Sequence, residues 1–286
     1  MLQPVDIPMD KVKERKIYFK YLRTDKLPHI WCPGCGNGQV LKAICFALDR
    51  LGIDKNDVAM VSGIGCSSRT PGYFDGYTLH TTHGRALAFA TGVKLARPEL
   101  NVIVTTGDGD CTAIGGNHFI HACRRNIDMT VLLFNNWIYG MTGGQVSPTT
   151  PETHYATTAP YGNIDPNFSI ADLAIGAGAT FVARGTAYHV TELVNLIEAG
   201  LKHKGFSLIE VLTPCPIQYG RRNKMGIVDS YKWLKENTLP LKAWEKLPEE
   251  KREGKLPRGI LHHLTDRDEY TERYYRMVEK IAGGNE

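Results

Sequence analysis

The chain has 286 residues, 42% of them hydrophobic and 22% charged, a balance that excludes disorder and fibrous repeats and provides for a buried core. No stretch reaches the roughly 18–20 apolar residues of a membrane helix, and the opening MLQPVDIPMDKVKERK carries charges where a signal peptide would be apolar. The expectation is a cytoplasmic protein with no membrane partner. A formal net charge of +4, from 34 basic and 30 acidic residues, falls far short of a nucleic-acid-binding stripe.

Residues 1–28 are charged and carry Pro4, Pro8 and Pro28, so residues 1–30 are expected to form an N-terminal arm laid over a surface, outside the core. After the knuckle HIWCPGCG, residues 39–51 place apolar side chains at helical spacing, and 58–63 is a short apolar run closed by glycine. Helix is expected over 84–97, strand over 102–106, helix over 115–125 and strand over 129–135. Strand then returns at 181–185, helix at 189–202 and strand at 207–212. Near-continuous apolar strands alternating with helices predict an α/β fold with a doubly wound, mostly parallel sheet covered on both faces, spanning 31–222. Residues 140–168 are rich in Gly, Pro and Thr, and a structureless connection of that length is usually functional. Residues 223–286 are dominated by Lys, Arg and Glu, with helical patterning near 229–238 and 267–281, and are expected to form a C-terminal helical tail.

The segment VIVTTGDGDCTAIGG puts Gly107, Asp108, Gly109 and Asp110 after a buried strand and before a helix, where parallel sheets bind ligands. Glycines let the backbone approach a phosphate, and a helix start offers free N–H groups to an anion. A carboxylate at Asp108 beside a phosphate makes sense if a hard cation such as Mg²⁺ bridges the two. Asn135 and Asn136 follow at the next strand end. GDG followed by NN at this spacing resembles the signature of thiamine diphosphate enzymes. That resemblance implies that Asp108, the Asn136 side chain and the Ile138 carbonyl bind Mg²⁺. It gives the diphosphate to Gly109 and Asp110, with help from Gly140, Met141 and Thr142.

Seven cysteines without an export signal argue for metal or cluster ligation over a disulfide framework. Cys32 and Cys35 lie in CPGCG, Cys66 in GIGCSSR and Cys215 in TPCP, each at a strand or arm end. Four such thiolates suit a [4Fe–4S] cluster or structural zinc, and spacing does not separate the two.

Taken in order, CPGCG, GIGCSSR, HGRALAFATGVKLA, GDGD, NNWIYGMTGGQ and SPTTP resemble the β subunit of the 2-oxoacid:ferredoxin oxidoreductases over about Trp31 to Arg222. The resemblance implies the diphosphate-binding type of thiamine fold and one [4Fe–4S] cluster on Cys32, Cys35, Cys66 and Cys215. Cys45, Cys111 and Cys123 fall outside the family's motifs and read as small buried hydrophobes. It implies oxidative decarboxylation of a 2-oxoacid to acyl-CoA and CO₂, or the reverse carboxylation, with single electrons passed to ferredoxin. The compact chain and the GIGCSSR form resemble the 2-oxoglutarate branch. A pyruvate-specific member is the alternative within the family, and a non-redox thiamine-dependent decarboxylase subunit with structural zinc is the alternative outside it. Thiamine enzymes also need a carboxylate beside the pyrimidine ring. No glutamate in this single α/β unit stands out for that role, so an α subunit is expected to supply it in an αβ or (αβ)₂ assembly. Gly65, Cys66, Ser67 and His83 are further candidate cofactor contacts. His83 and Arg69 are candidate substrate contacts, since imidazole moves protons near neutral pH and a guanidinium fork pairs with carboxylate or phosphate.

Overall fold

The computed structural model describes residues 13–283. Its strands, in chain order, are β1 (Val58–Ser62), β2 (Tyr77–His80), β3 (Asn101–Gly107), β4 (Met129–Asn135), β5 (Phe181–Thr186), β6 (Phe206–Leu212), β7 (Thr238–Pro240) and β8 (Leu256–His263). They form one sheet in the order β2-β1-β3-β4-β6-β5-β8-β7. The first six strands pair in parallel throughout. Every residue of β1, β4, β5 and β6 is buried, as the apolar runs require of strands covered on both faces.

Helices α1 (Lys13–Tyr21), α2 (Asn37–Leu51) and α3 (Thr70–Tyr73) precede β2, and α4 (Ala86–Ala96) joins β2 to β3. Next come α5 (Gly116–Arg125), α6 (Ile170–Gly176), α7 (Val190–Lys202), α8 (Ile227–Asn237), α9 (Leu241–Glu245) and α10 (Tyr270–Ala282). The alternation of side chains along each strand divides the interior into two cores. Met60, Leu132, Phe134 and Ile209 pack with Ile44 and Leu48 of α2 and Leu193 and Ile197 of α7 on one face. Val61, Val131, Leu133 and Leu208 pack with Ala90 of α4, Phe119 of α5 and Ala174 of α6 on the other.

Two expectations are corrected. The described part of the arm is exposed over most of residues 16–30 but is pinned into the core at Tyr21 and Leu22: Tyr21 is fully buried, and its hydroxyl donates to the Ile53 carbonyl at 2.8 Å. Burial of such a side chain stabilises by about 1.5–3 kcal/mol, enough to dock a nine-residue helix too short to hold itself in water. Residues 1–12 of the arm lie outside the described residues. The tail is helical at α8 and α10, as expected, but it also returns to the sheet, where β8 lies antiparallel to β5 and β7 parallel to β8. The short, mostly exposed edge strand β2 is a further element that the sequence reading did not mark, its four residues being too few to establish an alternation.

Inside the sheet, Arg184 of β5 stands opposite Glu210 of β6 in register. Its Nε donates to Glu210 Oε2 at 2.8 Å and its Nη1 to the Pro257 carbonyl of β8 at 3.2 Å, so the ion pair also fixes the returning tail. Both side chains are at least nine-tenths buried. Arg184→Met strands the Glu210 charge in the sheet and should cost about 3–5 kcal/mol in chemical denaturation. Adding Glu210→Met should recover part of that loss, and a single variant as stable as wild type would contradict the assignment.

Candidate active site

Strands β1, β3, β4 and β6 are successive neighbours in the sheet, so the loops that follow them stand side by side along its carboxyl edge. They border a cleft of ≈ 620 Å³, part of it open to solvent. Every residue proposed from sequence as a cofactor contact lines it: Gly65, Cys66, Ser67, His83, Gly107, Asp108, Gly109, Asp110, Asn136, Ile138, Gly140, Met141 and Thr142. Asn37, Ile64, Phe134 and Tyr139 line it as well. Arg69 is exposed and stands outside its lining, so it is not brought to the cleft.

The Asn135-Asn136 turn is shaped by its own side chains. Asn135 Oδ1 accepts from the Trp137 amide at 3.3 Å, and Asn136 Oδ1 accepts from the Ile138 amide at 3.2 Å, two successive Asx turns. They accompany a left-handed Trp137, φ 61°, and precede Ile138, which lines the cleft. Asn135 is fixed from below, because its Nδ2 donates to Glu210 Oε1 at 2.8 Å. Thr149 Oγ1 lies 2.9 Å from Asn135 Oδ1 and 2.6 Å from Asp108 Oδ2, and Ser147 Oγ donates to the same Asp108 oxygen at 2.5 Å. The SPTTP segment of the long loop therefore clamps one oxygen of Asp108. Burial pushes the Asp108 carboxyl above the ordinary carboxylate range, with the Ser147 and Thr149 hydroxyls pulling the other way.

Asp110 lines the same cleft, but its carboxylate is turned to the protein. It accepts from the Gly84 amide at 2.7 Å, the Thr106 hydroxyl at 2.7 Å and the Ile64 amide at 3.3 Å, and it pairs with His83 Nδ1 at 2.7 Å. What Asp110 offers to a ligand is backbone, at the start of a single π-helical turn, Asp110–Ile114, that precedes α5. Gly63 must be glycine here, since a side chain would collide with that carboxylate. Tyr139 packs over Gly109 and donates its hydroxyl to the Gly109 carbonyl at 3.2 Å.

The four motif cysteines approach from three loops. Cys32 and Cys35 sit in one turn, closed by the Cys35 amide on the Cys32 carbonyl at 3.0 Å. Gly36 brings that turn against the loop after β6, where a Cβ would stand 2.9 Å from Pro214. Trp31 Nε1 donates to the Cys66 carbonyl at 2.7 Å and ties the knuckle to the loop after β1. The sulfurs of Cys215 and Cys66 face Gly140, at 3.4 and 3.6 Å from where its Cβ would be. Burial pushes the Cys35 thiol up to about 12 and the Cys66 thiol to about 11, with smaller contributions from the neighbouring motif cysteines. Among the described residues, no three His, Cys, Asp or Glu side chains close on a point tightly enough for a single ion. Cys45, Cys111 and Cys123 are buried, as expected of small hydrophobes.

Asn37 is the residue that sequence reasoning missed. It is 1% exposed and lines the cleft, yet its Nδ2 has no hydrogen-bond partner, a costly arrangement for a buried donor unless a ligand uses it. Its place directly after CPGCG is the one signal that could have marked it.

The raised Asp108 carboxyl makes its ionisation oppose folding of the cofactor-free chain. That penalty is absent in acid, below the ordinary carboxylate range, and grows as pH rises through the folded-state value. Asp108→Asn should therefore raise the melting temperature at neutral pH, with the gain vanishing in acid; a gain that does not change with pH would contradict the account.

Residues 63–211 match the family model described as thiamine pyrophosphate enzyme, C-terminal TPP binding domain. The 2-oxoglutarate synthase subunit KorB of Methanothermobacter marburgensis is 53% identical over 275 residues, covering 95% of both chains. That of Methanocaldococcus jannaschii is 52% identical over 263 residues, covering 92% of this chain and 97% of its own. A solved 2-oxoglutarate:ferredoxin oxidoreductase from Magnetococcus marinus, with 2-oxoglutarate, coenzyme A and succinyl-CoA bound, superposes with a TM-score of 0.83 at 33% identity. The superposition covers 96% of this chain and 92% of that one. The GDG and NN loops thus border one cleft in a chain that shares half its residues with such subunits, and it belongs to the β subunits of the 2-oxoacid:ferredoxin oxidoreductases, within the thiamine pyrophosphate enzymes.

Proposed function

We propose that this β subunit acts on 2-oxoglutarate and coenzyme A, with thiamine diphosphate and Mg²⁺ in the cleft and a [4Fe–4S] cluster on Cys32, Cys35, Cys66 and Cys215. The observation that carries the proposal is the wall they would share: the sulfurs of Cys66 and Cys215 abut Gly140, which lines the cleft alongside Asp108. The residues present fit these groups. The orphaned Asn37 donor and the glycine-lined turn suit an oxygen-rich ligand. Four cysteines near enough to oppose one another's ionisation make a four-thiolate group of the kind that holds a [4Fe–4S] cluster.

When bound, thiamine diphosphate supplies the carbon nucleophile for the keto carbon, and the cluster accepts electrons one at a time. The chain's part is to hold and orient. Asp108, with one oxygen clamped by Ser147 and Thr149, keeps the other for Mg²⁺, joined by Asn136 and the Ile138 carbonyl. The backbone from Gly107 to Asp110 would carry the diphosphate. Among the described residues no glutamate lines the cleft, which supports an α subunit as the source of the pyrimidine-facing carboxylate. Cys32, the exposed member of the thiol group, offers the outward edge for ferredoxin. Among the described residues no helix is long and apolar enough to cross a membrane, and seven unpaired cysteines suit the reducing cytoplasm.

Purified anaerobically with its α partner, the protein should contain about four irons and one thiamine diphosphate per chain. It should reduce ferredoxin only when both 2-oxoglutarate and coenzyme A are supplied. Zinc in place of iron would sink the redox assignment, and faster turnover of pyruvate the substrate assignment. Asp108→Ala should lose thiamine diphosphate while keeping its iron, and Cys66→Ser should lose its iron; a variant retaining the component it is expected to lose would refute the corresponding role.

A further inference from the structure

The titratable side chains lining the cleft are Cys66, His83, Asp108, Asp110 and Tyr139. Four of them are committed elsewhere: Cys66 to the thiol group, Asp108 and Asp110 to protein donors, and Tyr139 to the Gly109 carbonyl, with its hydroxyl pushed up to about 12 by burial. His83 remains. Its Nδ1 faces two oxygen acceptors, Asp110 Oδ1 at 2.7 Å and the Ile64 carbonyl at 3.3 Å. Two acceptors and no donor fix the proton on Nδ1, so Nε2 is the nitrogen that gains and loses one. No described protein group bonds Nε2. Asp110 is 3% exposed and tied by Thr106, Gly84 and Ile64, so the carboxylate that orients the ring does not swing. The other ring beside it is Tyr139, with ring centroids 6.1 Å apart, while the nearby charged residue in sequence, Arg85, has its guanidinium held by the Gly84 and Ile114 carbonyls.

We propose that His83, positioned by Asp110, is the acid and base that serves the keto oxygen of the bound 2-oxoacid. As the keto carbon gains its new bond, the C=O π pair moves to oxygen, which takes the proton from Nε2 and leaves the ring neutral. After CO₂ has left its bonding pair behind and the proposed cluster has taken those two electrons one at a time, that hydroxyl would return its proton to Nε2 and its O–H pair would rebuild the carbonyl of the acyl product, so the ring would end as it began. The proposal rests on the thiamine-dependent function above. Asp110 is a positioning residue in this scheme, comparable to the carboxylate that sets the tautomer of a catalytic histidine elsewhere.

The test uses the whole αβ enzyme. His83→Asn keeps an amide donor close to where Nδ1 stands and deletes Nε2; His83→Gln is the second variant should the first fail to fold. Thiamine diphosphate affinity with Mg²⁺ is read from tryptophan fluorescence without substrate, and kcat is measured against pH at saturating cofactor. Affinity should stay within about twofold while kcat falls roughly 10²–10⁴-fold and the imidazole limb of the pH profile disappears. A kcat close to wild type, or a surviving limb, overturns the proposal. So does a large loss of affinity with kcat retained at saturation, which would make His83 a phosphate contact. A wild-type enzyme that binds no thiamine diphosphate would instead remove the underlying function, a failure visible before any variant is made.

Discussion

Parallel pairing of neighbouring strands is the constraint on which this molecule rests. Because β1, β3, β4 and β6 run the same way and lie side by side, Cys66, Asp108, Asn136 and Cys215 emerge along one edge, although about 150 residues of chain separate the first from the last. An antiparallel exchange of any one strand would send its loop to the opposite end. Among the described strands the antiparallel one, β8, is confined to the flank beyond β5, where with β7 it extends the sheet without displacing a site loop.

Bringing loops together is not the same as holding them still, and two buried carboxylates supply that rigidity. Asp110 accepts from the loop after β1, the end of β3 and the turn before α4, so three chain segments share one anion. Glu210 acts one layer lower, where its two oxygens receive Arg184 of β5 and Asn135 of β4. Its bond to Asn135 Nδ2 leaves Oδ1 as the end that meets Thr149 and the Trp137 amide. The ion pair thus sets the turn that carries Asn136 and Ile138. Buried charges of this kind are costly unless every lone pair is used, and here the partners come from neighbouring strands and the turns beyond them, which gives the arrangement a single solution.

Most of the fold was legible because its strands are apolar on both faces and its helices are amphipathic; MTVLLFN could hardly be anything but a central strand. The convergence of the cleft loops followed from motif order and from the rule that parallel sheets bind at their carboxyl ends. What escaped were side chains whose roles depend on partners distant in sequence. Glu210 looks like any acidic residue in a strand until Arg184 and Asn135 are seen beside it, and Tyr21 looks like an arm residue until Ile53 receives its hydroxyl. The return of the tail to the sheet left no trace either. LPRGILHH carries a proline and a glycine, both poor strand formers, and pairs at the flank of the sheet, between β5 and the three-residue strand β7.

Asn37 shows how closely the two halves of the site are joined. Its backbone N–H bears on the Cys35 thiol, pulling against the effect of burial, while the residue lines the cleft with its amide nitrogen unpartnered. Gly140 makes the same junction from the other side, lining the cleft with its α-carbon turned to Cys66 and Cys215. The partition between thiols and cleft is therefore one residue thick at two independent points, both built from atoms with little freedom to move. A ligand on either side meets the same backbone, so whatever reorganises the thiols must also shift the floor of the cleft. Under the proposed function, with the carbon chemistry in the cleft and a cluster on the thiols, that shared wall would put the two side by side without asking any loop to close.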